Sequence, residues 1–320
     1  MKDRILFPPL YHPTSILLVD DNPRFLSTFR LQIRTRTPLY TFESALQALE
    51  SLEAQADMGR LEPDDAMRRL SDPKRFELCA TLIVDHDMPE MTGLEMCRRL
   101  ANRPINRILL TGKVDESHAV EAFNQGLIHR FVRKSDPEVG ARINEYLGDL
   151  NRDYFRRLTT PYTPPGEHDT LALFYTEGLA RAVDRLYERL RLVEHYYVAQ
   201  PPGLLLLDDK GKAWLMLLFP RGEAKVHLEI AESENAPEAL LRALEQGDRV
   251  PFFPSSDGYF RKEWADDWER YLHPGQALEG VAGARYVLLE PEAVPSSLLD
   301  GVVSFSGFRA ARKKAGARAN

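Results

Sequence analysis

The sequence predicts an α/β fold: a doubly wound parallel sheet of five strands, a helical connector, and a second, smaller α/β domain with a mixed or antiparallel sheet. In the first half, short apolar runs alternate with amphipathic helical patterns, which is typical of parallel strands joined by helices. In the second half, apolar runs at 203–207 and 213–219 flank a turn containing Gly211, which indicates a β-hairpin. The two halves are therefore expected to be built on different kinds of sheet.

Length and composition limit the function classes. The 320 residues are enough for two domains, and the net charge of −6 argues against whole-protein attraction to nucleic acid. Cys79 and Cys97 form neither a disulfide framework nor a metal-ligand spacing. No apolar run approaches the length of a membrane span, and the N-terminal one is too short for a secretory signal. We therefore expect a cytoplasmic protein without membrane contact.

The first half alternates strands and helices in a regular order. Strands are predicted at 15–20, 39–42, 81–85, 107–111 and 128–133. Helices with a polar cap or an apolar face are predicted at 22–33, 44–52, 92–100 and 115–123. Residues 55–76 are polar and helical in pattern, with Pro63 and Pro73 as breaks.

Four of these strands end at residues that can carry chemistry, namely Asp20 with Asp21, Asp85, Thr111 and Lys134. In a parallel sheet these ends share one edge. Carboxylates brought together there repel one another and favour a bound cation, and their oxygens suit Mg²⁺. A carboxylate nucleophile next to a divalent ion, a hydroxyl and an ammonium group can accept a phosphoryl group. In this interpretation Asp85 attacks, Lys134 neutralises charge and Thr111 hydrogen-bonds the transferred group.

The motifs at these strand ends resemble a known family. They are Val-Asp-Asp at 19–21, Val-Asp-His-Asp-Met-Pro-Glu-Met-Thr-Gly at 84–93, Leu-Thr-Gly at 110–112 and Phe-Val-Arg-Lys at 131–134. Together they resemble the receiver domain of bacterial two-component response regulators over about residues 14–157.

That resemblance implies a role for each matching residue. Asp85 is expected to be phosphorylated by the phosphohistidine of a cognate histidine kinase or phosphotransfer protein, and the receiver itself is expected to catalyse this phosphotransfer and the later dephosphorylation. Thr111 and Phe131 are expected to form the switch. The expected Mg²⁺ ligands are the carboxylates of Asp20, Asp21 and Asp85 and the backbone carbonyl of Asp87.

The sequence also departs from the family pattern. Lys134 is followed by Ser135 rather than by proline, and Asp136-Pro137 is predicted to cap and open the next helix. Asp87 adds a negative charge beside the acceptor, which is expected to change transfer or hydrolysis rates. The interval before Asp85 is longer than usual, and the surplus at 55–76 either decorates the surface or docks a partner.

The remaining chain is predicted to form a connector and an output domain, so the expected domains are 1–136, 137–193 and 194–320. An apolar stripe with near-heptad spacing runs from Val139 to Leu158, and a second striped helix is predicted at 171–193. These helices either form a hairpin, or pair across a homodimer that carries the switch, or the second is the first element of the output domain.

The output domain is predicted to contain a strand at 194–199, the hairpin, helices at 223–232 and 237–246, and a strand at 286–289. Aromatic residues crowd 252–271, either as core and lid or as a surface for a partner. We expect a regulated binding module for a protein or small ligand; an enzyme and a DNA-binding factor are the alternatives. The acidic balance and the missing recognition helix weigh against DNA. The basic tail from Arg309 to Arg318 is interpreted as a solvated end, with a nucleic-acid arm as the alternative.

Overall fold

The computed structural model describes residues 5–55, 66–112, 116–159, 170–255 and 257–318. The chain divides into two compact units. The parallel-sheet unit contains His12–Leu61 and Pro73–Pro161. The antiparallel-sheet unit contains Met1–Tyr11, Glu62–Asp72 and Tyr162–Asn320.

The parallel-sheet unit confirms the predicted doubly wound sheet. Its strands are β2 (Ser15–Val19), β3 (Leu39–Phe42), β4 (Cys79–Asp85), β5 (Asn106–Thr111) and β6 (Arg130–Arg133). They are all parallel and lie in the order β3-β2-β4-β5-β6. Every residue of the three inner strands β2, β4 and β5 is buried, as expected for a sheet covered on both faces.

Helices cover both faces of this sheet. They are α1 (Pro23–Arg30), α2 (Ala45–Glu53), α3 (Gly93–Arg99), α4 (Glu116–Asn124) and α5 (Val139–Thr159). Successive strand residues point to opposite faces. Accordingly Leu17 and Val84 belong to an apolar cluster with residues of α2, α3 and α4, whereas Ile16 and Ile83 belong to one with residues of α1 and α5. Asn22 and Ser44 cap α1 and α2, as their positions at the predicted helix starts indicate, and Thr92 caps α3.

Most apolar residues of the long helix α5 are buried. Val139, Ile143 and Leu150 pack in the sheet cluster, and Tyr154 and Leu158 nearer the end of the helix are also buried. This differs from the predicted boundary at 136, because the helix assigned to the connector packs on the sheet from Val139 to Leu150 and belongs to this unit. The breaks predicted at 161–166 lie outside the described residues.

The antiparallel-sheet unit is built on a six-stranded sheet in the order β1-β7-β8-β9-β13-β12. These strands are β1 (Leu10–Tyr11), β7 (Leu192–Val198), β8 (Gly203–Asp208), β9 (Ala213–Phe219), β13 (Arg285–Leu289) and β12 (Gln276–Ala277). A separate pair joins β10 (Arg249–Pro251) to β11 (Leu272–Pro274). The predicted hairpin corresponds to β8 and β9.

The helices of this unit are α6 (Glu177–Leu190), α7 (Glu223–Ser233), α8 (Glu238–Gln246) and α9 (Phe305–Arg318). The helix predicted at 171–193 is interrupted, because Thr170–Tyr175 is a 3₁₀ turn and Thr176 caps α6. Its end also differs: Arg191 takes a left-handed φ of 53°, and β7 starts at Leu192. The basic tail interpreted as a solvated end forms the later part of α9, where Arg309, Lys313 and Lys314 are exposed; the buried Phe305 and Phe308 precede it in the same helix.

Two N-terminal segments belong to the antiparallel-sheet unit, which the predicted boundaries did not anticipate. Strand β1 extends the sheet, with Leu10 opposite Tyr196. Residues 66–72 come from the surplus segment at 55–76 and contribute the buried side chains of Ala66 and Leu70. Residues 56–65 lie outside the described residues. No helix of the described ranges is long and apolar enough to cross a membrane.

Candidate functional site

The predicted residues at the strand ends lie at one edge of the parallel sheet. Strand β2 pairs Val19 with Val84, which places Asp20 beside the end of β4 at Asp85. Strand β5 pairs Thr111 with Arg133, so Lys134 follows directly at the same level. Parallel register therefore collects residues that are far apart in the chain, as expected for this class of sheet.

Lys134 lies between two of the carboxylates. Its Nζ is 2.6 Å from Asp20 Oδ2 and 2.8 Å from Asp85 Oδ2. One oxygen from each of Asp20, Asp21 and Asp85 falls within a group whose members are all within 4.8 Å of one another. Asp20 and Asp85 are buried, whereas Asp21 is exposed and leaves the group open to solvent.

Burial and the neighbouring charges act in opposite directions on this site. Burial raises the pKa of Asp85, although the hydrogen bond and charge of Lys134 counteract it. Burial also disfavours the charged form of Lys134, but hydrogen bonds and charges from both aspartates outweigh it and raise the pKa of its ammonium group. One ammonium offsets only one of three carboxylates, so the site fits a hard divalent cation such as Mg²⁺.

The other predicted residues are placed as follows. The Thr111 hydroxyl is buried and has no hydrogen-bond partner among the described residues. Phe131 lies on β6, half-buried, with its ring centroid 6.4 Å from that of Phe123 in an edge-on arrangement. Asp87 is exposed in the loop after β4, and its side chain is outside the carboxylate group.

The loop after β4 closes tightly at Gly93. Gly93 N donates to the His86 carbonyl oxygen at 2.9 Å. A Cβ at position 93 would lie 2.2 Å from the backbone oxygen of Asp85, a distance that side chains do not tolerate. The glycine is therefore required by a close approach of backbone to the end of β4.

Two neighbours of the site were not identified from the sequence. The ring of Phe25 in α1 has its centroid 4.7 Å from Lys134 Nζ. This is within the range of a cation–π contact. Glu90 accepts hydrogen bonds from the start of α2. Neither position carries a motif signal, since an aromatic on a helix and an acid in a loop are common.

A second group of ionisable side chains lies in the antiparallel-sheet unit. Tyr259 donates its hydroxyl hydrogen to Glu223 Oε1 at 3.0 Å, and His227 Nε2 is 3.9 Å from the same oxygen. Burial raises the pKa of Glu223 and lowers the pKa of His227 to about 3. Burial and the nearby Glu223 raise the pKa of Tyr259 to about 12. At neutral pH the imidazole and phenol are uncharged, and the imidazole lines a small crevice together with Glu223, Phe219 and Phe252.

Comparison with known proteins adds independent findings. The family model of the response regulator receiver domain matches residues 62–139. No curated protein matches the chain. The structure of the Legionella pneumophila response regulator LqsR is similar over 96% of this chain and 96% of its own, with 26% identity and a TM-score of 0.80. That likeness includes both sheets.

Two further structures are similar over less than half of this chain. One is the signal receiver domain of an HD domain-containing protein from Pseudomonas fluorescens Pf-5, with 22% identity, a TM-score of 0.35, and coverage of 46% of this chain and 92% of that one. The other is a CheY-like response regulator receiver domain protein from Methanospirillum hungatei JF-1, with 16% identity, a TM-score of 0.33, and coverage of 45% and 98%.

Proposed function

Because this chain contains a response regulator receiver domain, we propose that it accepts a phosphoryl group on Asp85 from a histidine kinase or phosphotransfer protein and thereby switches a binding function of its antiparallel-sheet unit. The observation that carries this proposal is Lys134, which contacts Asp20 and the proposed acceptor Asp85 at once. We propose a cytoplasmic location with it, where such a phosphodonor acts.

The proposed reaction moves the phosphoryl group from nitrogen to oxygen. An Asp85 carboxylate oxygen forms a bond to phosphorus while the bond from phosphorus to the donor imidazole breaks, and the imidazole leaves with the electron pair of that bond. Lys134 lies 2.8 Å from the acceptor carboxylate and can neutralise charge on the transferring oxygens. Thr111 has a buried hydroxyl to donate to the phosphoryl group.

The residues present fit a magnesium ion. Asp20, Asp21 and Asp85 would hold it with their carboxylates, and Asp87 with its backbone carbonyl. When bound, Mg²⁺ supplies positive charge that favours transfer to an anionic acceptor. Of these ligands, the three carboxylates are already grouped within 4.8 Å.

The proposed switch uses Thr111 and Phe131. Movement of the Thr111 hydroxyl toward an acyl phosphate would vacate space, and the half-buried Phe131 would turn into it. The acyl phosphate would carry close to two negative charges where the Asp85 carboxylate carries one, and a differential interaction of a few kcal/mol suffices to bias such an equilibrium. The ring pair with Phe123 is the contact that this motion would change.

A labelling experiment tests the acceptor. We expect acetyl phosphate with Mg²⁺ to add one phosphoryl group to the protein, located on Asp85 by mass spectrometry of the intact chain and its peptides. Asp85→Asn should abolish the adduct, and the control Asp266→Asn, an exposed aspartate of the other unit, should retain it. Persistent labelling of Asp85→Asn would contradict the assignment.

The output is proposed to be a regulated binding module for a protein or small ligand. A pull-down with full-length protein, with and without beryllofluoride and Mg²⁺, tests it: a partner captured in only one state supports the module, whereas state-independent capture contradicts switching. An enzymatic output remains the second candidate, favoured by His227 and Glu223, which line one crevice, and by the hydrogen bond from Tyr259 to Glu223. Nucleic acid is the least favoured partner because of the acidic net charge.

The homodimer predicted through 137–193 would need faces other than the apolar stripes. Val139 and Leu150 of α5 and Leu179 and Val183 of α6 are buried within one chain. Light scattering with and without beryllofluoride tests the dimer, and a monomer under both conditions would contradict it.

A further inference from the structure

The central residues of the loop between β4 and α3 contact helix α2. Met88 and Met91 point into the apolar cluster that also contains Ala45 and Leu49 of α2. Between them Glu90 is exposed, and its carboxylate accepts hydrogen bonds from Ser44 Oγ at 2.8–2.9 Å and from Leu46 N at 3.1 Å. The loop that follows the proposed acceptor is therefore attached to another helix by both apolar and polar contacts.

The chemistry of the contact favours a charged carboxylate at that place. The first N–H groups of an α-helix have no partner within the helix, and its N-terminus carries partial positive charge. Glu90 satisfies one of these groups in α2, while the Ser44 hydroxyl accepts from Gln47 N at 3.3 Å. The hydrogen bonds from Leu46 and Ser44 lower the pKa of Glu90, so that it stays ionised at neutral pH.

We propose that Glu90 is a positioning residue for the metal site. The hydrogen bond from Gly93 N to the His86 carbonyl joins the two ends of the loop. Between these ends, the hydrogen bond from Leu46 N to Glu90 attaches the loop to α2. Asp87, whose carbonyl is a proposed Mg²⁺ ligand, lies in this part of the loop, three residues before Glu90. Because the loop is ordered before the ion arrives, less conformational entropy is lost on binding. This inference rests on the proposed function.

The test compares Mg²⁺ affinity and loop protection in matched variants of the full chain. Mg²⁺ binding is measured by isothermal titration calorimetry, and amide hydrogen exchange of residues 86–92 is measured without Mg²⁺. We expect Glu90→Ala to weaken Mg²⁺ binding about fivefold, the size typical of a lost cap, and to speed exchange in the loop. Glu90→Gln, which keeps an acceptor without the charge, should weaken binding about twofold. Glu95→Ala on α3, which removes an exposed pair with Arg99 at 3.5 Å, should change neither measurement.

A double-mutant cycle separates positioning from general destabilisation. Ser44→Ala and Glu90→Ala should lower Mg²⁺ affinity less than additively when combined, because each removes the same contact. A Glu90→Ala protein with unchanged Mg²⁺ affinity and a lower melting temperature would overturn the inference and leave the proposed function intact. If the unaltered protein binds no Mg²⁺, the proposed function is overturned, and this inference with it.

Discussion

The two units differ in how they assemble polar side chains. In the parallel-sheet unit, Asp20, Asp85 and Lys134 come from three different strand ends and meet at one edge. In the antiparallel-sheet unit, Glu223 and His227 share one helix and Tyr259 comes from a distant loop. Neighbouring parallel strands all end at the same edge, whereas neighbouring antiparallel strands end at opposite edges. Polar residues at strand ends therefore predict a shared site in the parallel-sheet unit, whereas the same pattern has no such meaning in the antiparallel-sheet unit.

The largest expected effect tests how strictly the carboxylate site of the parallel-sheet unit depends on the backbone position at the end of β4. Gly93→Ala places a Cβ 2.2 Å from the Asp85 backbone oxygen. Since the obstacle is backbone, the end of β4 must move, and we expect a loss of about 3 kcal/mol or more in unfolding free energy and at least tenfold weaker Mg²⁺ binding. Urea unfolding and calorimetry measure these.

Gly148→Ala is the matched control, because nothing lies within 4 Å of a Cβ at this position in α5. The control should stabilise the protein by about 0.5–1 kcal/mol. If both variants had the same unfolding free energy and Mg²⁺ affinity, the end of β4 would tolerate displacement. The site would then not depend on the exact backbone position at this sheet edge.

The next effect tests whether the second unit depends on the N-terminus of the chain. Leu10 is 1% exposed and lies in the edge strand β1. Leu10→Ala should cost about 2–4 kcal/mol through lost burial and a cavity. All three tryptophans lie in this unit, so their fluorescence during urea unfolding reports on it. Leu31→Ala, at a side chain 84% exposed, should change little. An unaffected Leu10→Ala would mean that β1 is dispensable.

An intermediate effect uses pH to probe the polar group of the second unit. The folded protein holds the pKa of His227 at about 3, far below its unfolded value, so protonation favours unfolding. Stability should be complete above about pH 6.5 and fall as pH is lowered toward 3, by up to about 1.4 kcal/mol per pH unit. Glu223, Asp257 and Tyr259 also face this imidazole and contribute their own titrations.

His227→Gln should flatten that dependence in tryptophan-monitored unfolding at about pH 7 and pH 5. The exposed His118→Gln in the other unit should retain it. A steep fall that persists in His227→Gln would assign the acid sensitivity to other groups.

The smallest effect sharpens the description of the first site. Phe25→Leu removes the ring under Lys134 Nζ, a contact worth about 0.5–1 kcal/mol at a partly exposed site. We expect a two- to fivefold slower rate of Asp85 labelling by acetyl phosphate, about the factor that this free energy gives. Phe25→Trp, which keeps a π face, should restore most of the rate. If the labelling rate did not depend on residue 25, Asp20 and Asp85 alone would be sufficient to position Lys134.

The parallel-sheet unit could be predicted because local patterns and topology agreed there. The apolar run ending at Asp85 and the cap at Asn22 each specified an element, and parallel register then placed the strand ends together. The motif at 84–93 contains Gly93, but the close approach of this glycine to Asp85 depends on coordinates that no spacing encodes. The partners of Phe25 and Glu90 were missed for the same reason.

The second unit was predicted only in part. The hairpin was readable because its strands are adjacent in the chain, whereas the pairing of Leu10 with Tyr196 joins residues nearly two hundred positions apart. The helical pattern from 171 ran across Thr176, and a stripe of apolar residues does not show that a cap divides it. Burial of the α5 stripe against its own sheet likewise could not be distinguished from a dimer seam by periodicity.

The chain crosses between its two units after residues 11, 61, 72 and 161. A regulator assembled by simple end-to-end fusion would need one crossing. Truncation at a single linker therefore cannot yield an intact antiparallel-sheet unit: a fragment starting at 162 would lack both β1 and residues 66–72. Chimeras that exchange one unit between chains of this architecture would have to transfer these two N-terminal pieces with the C-terminal half.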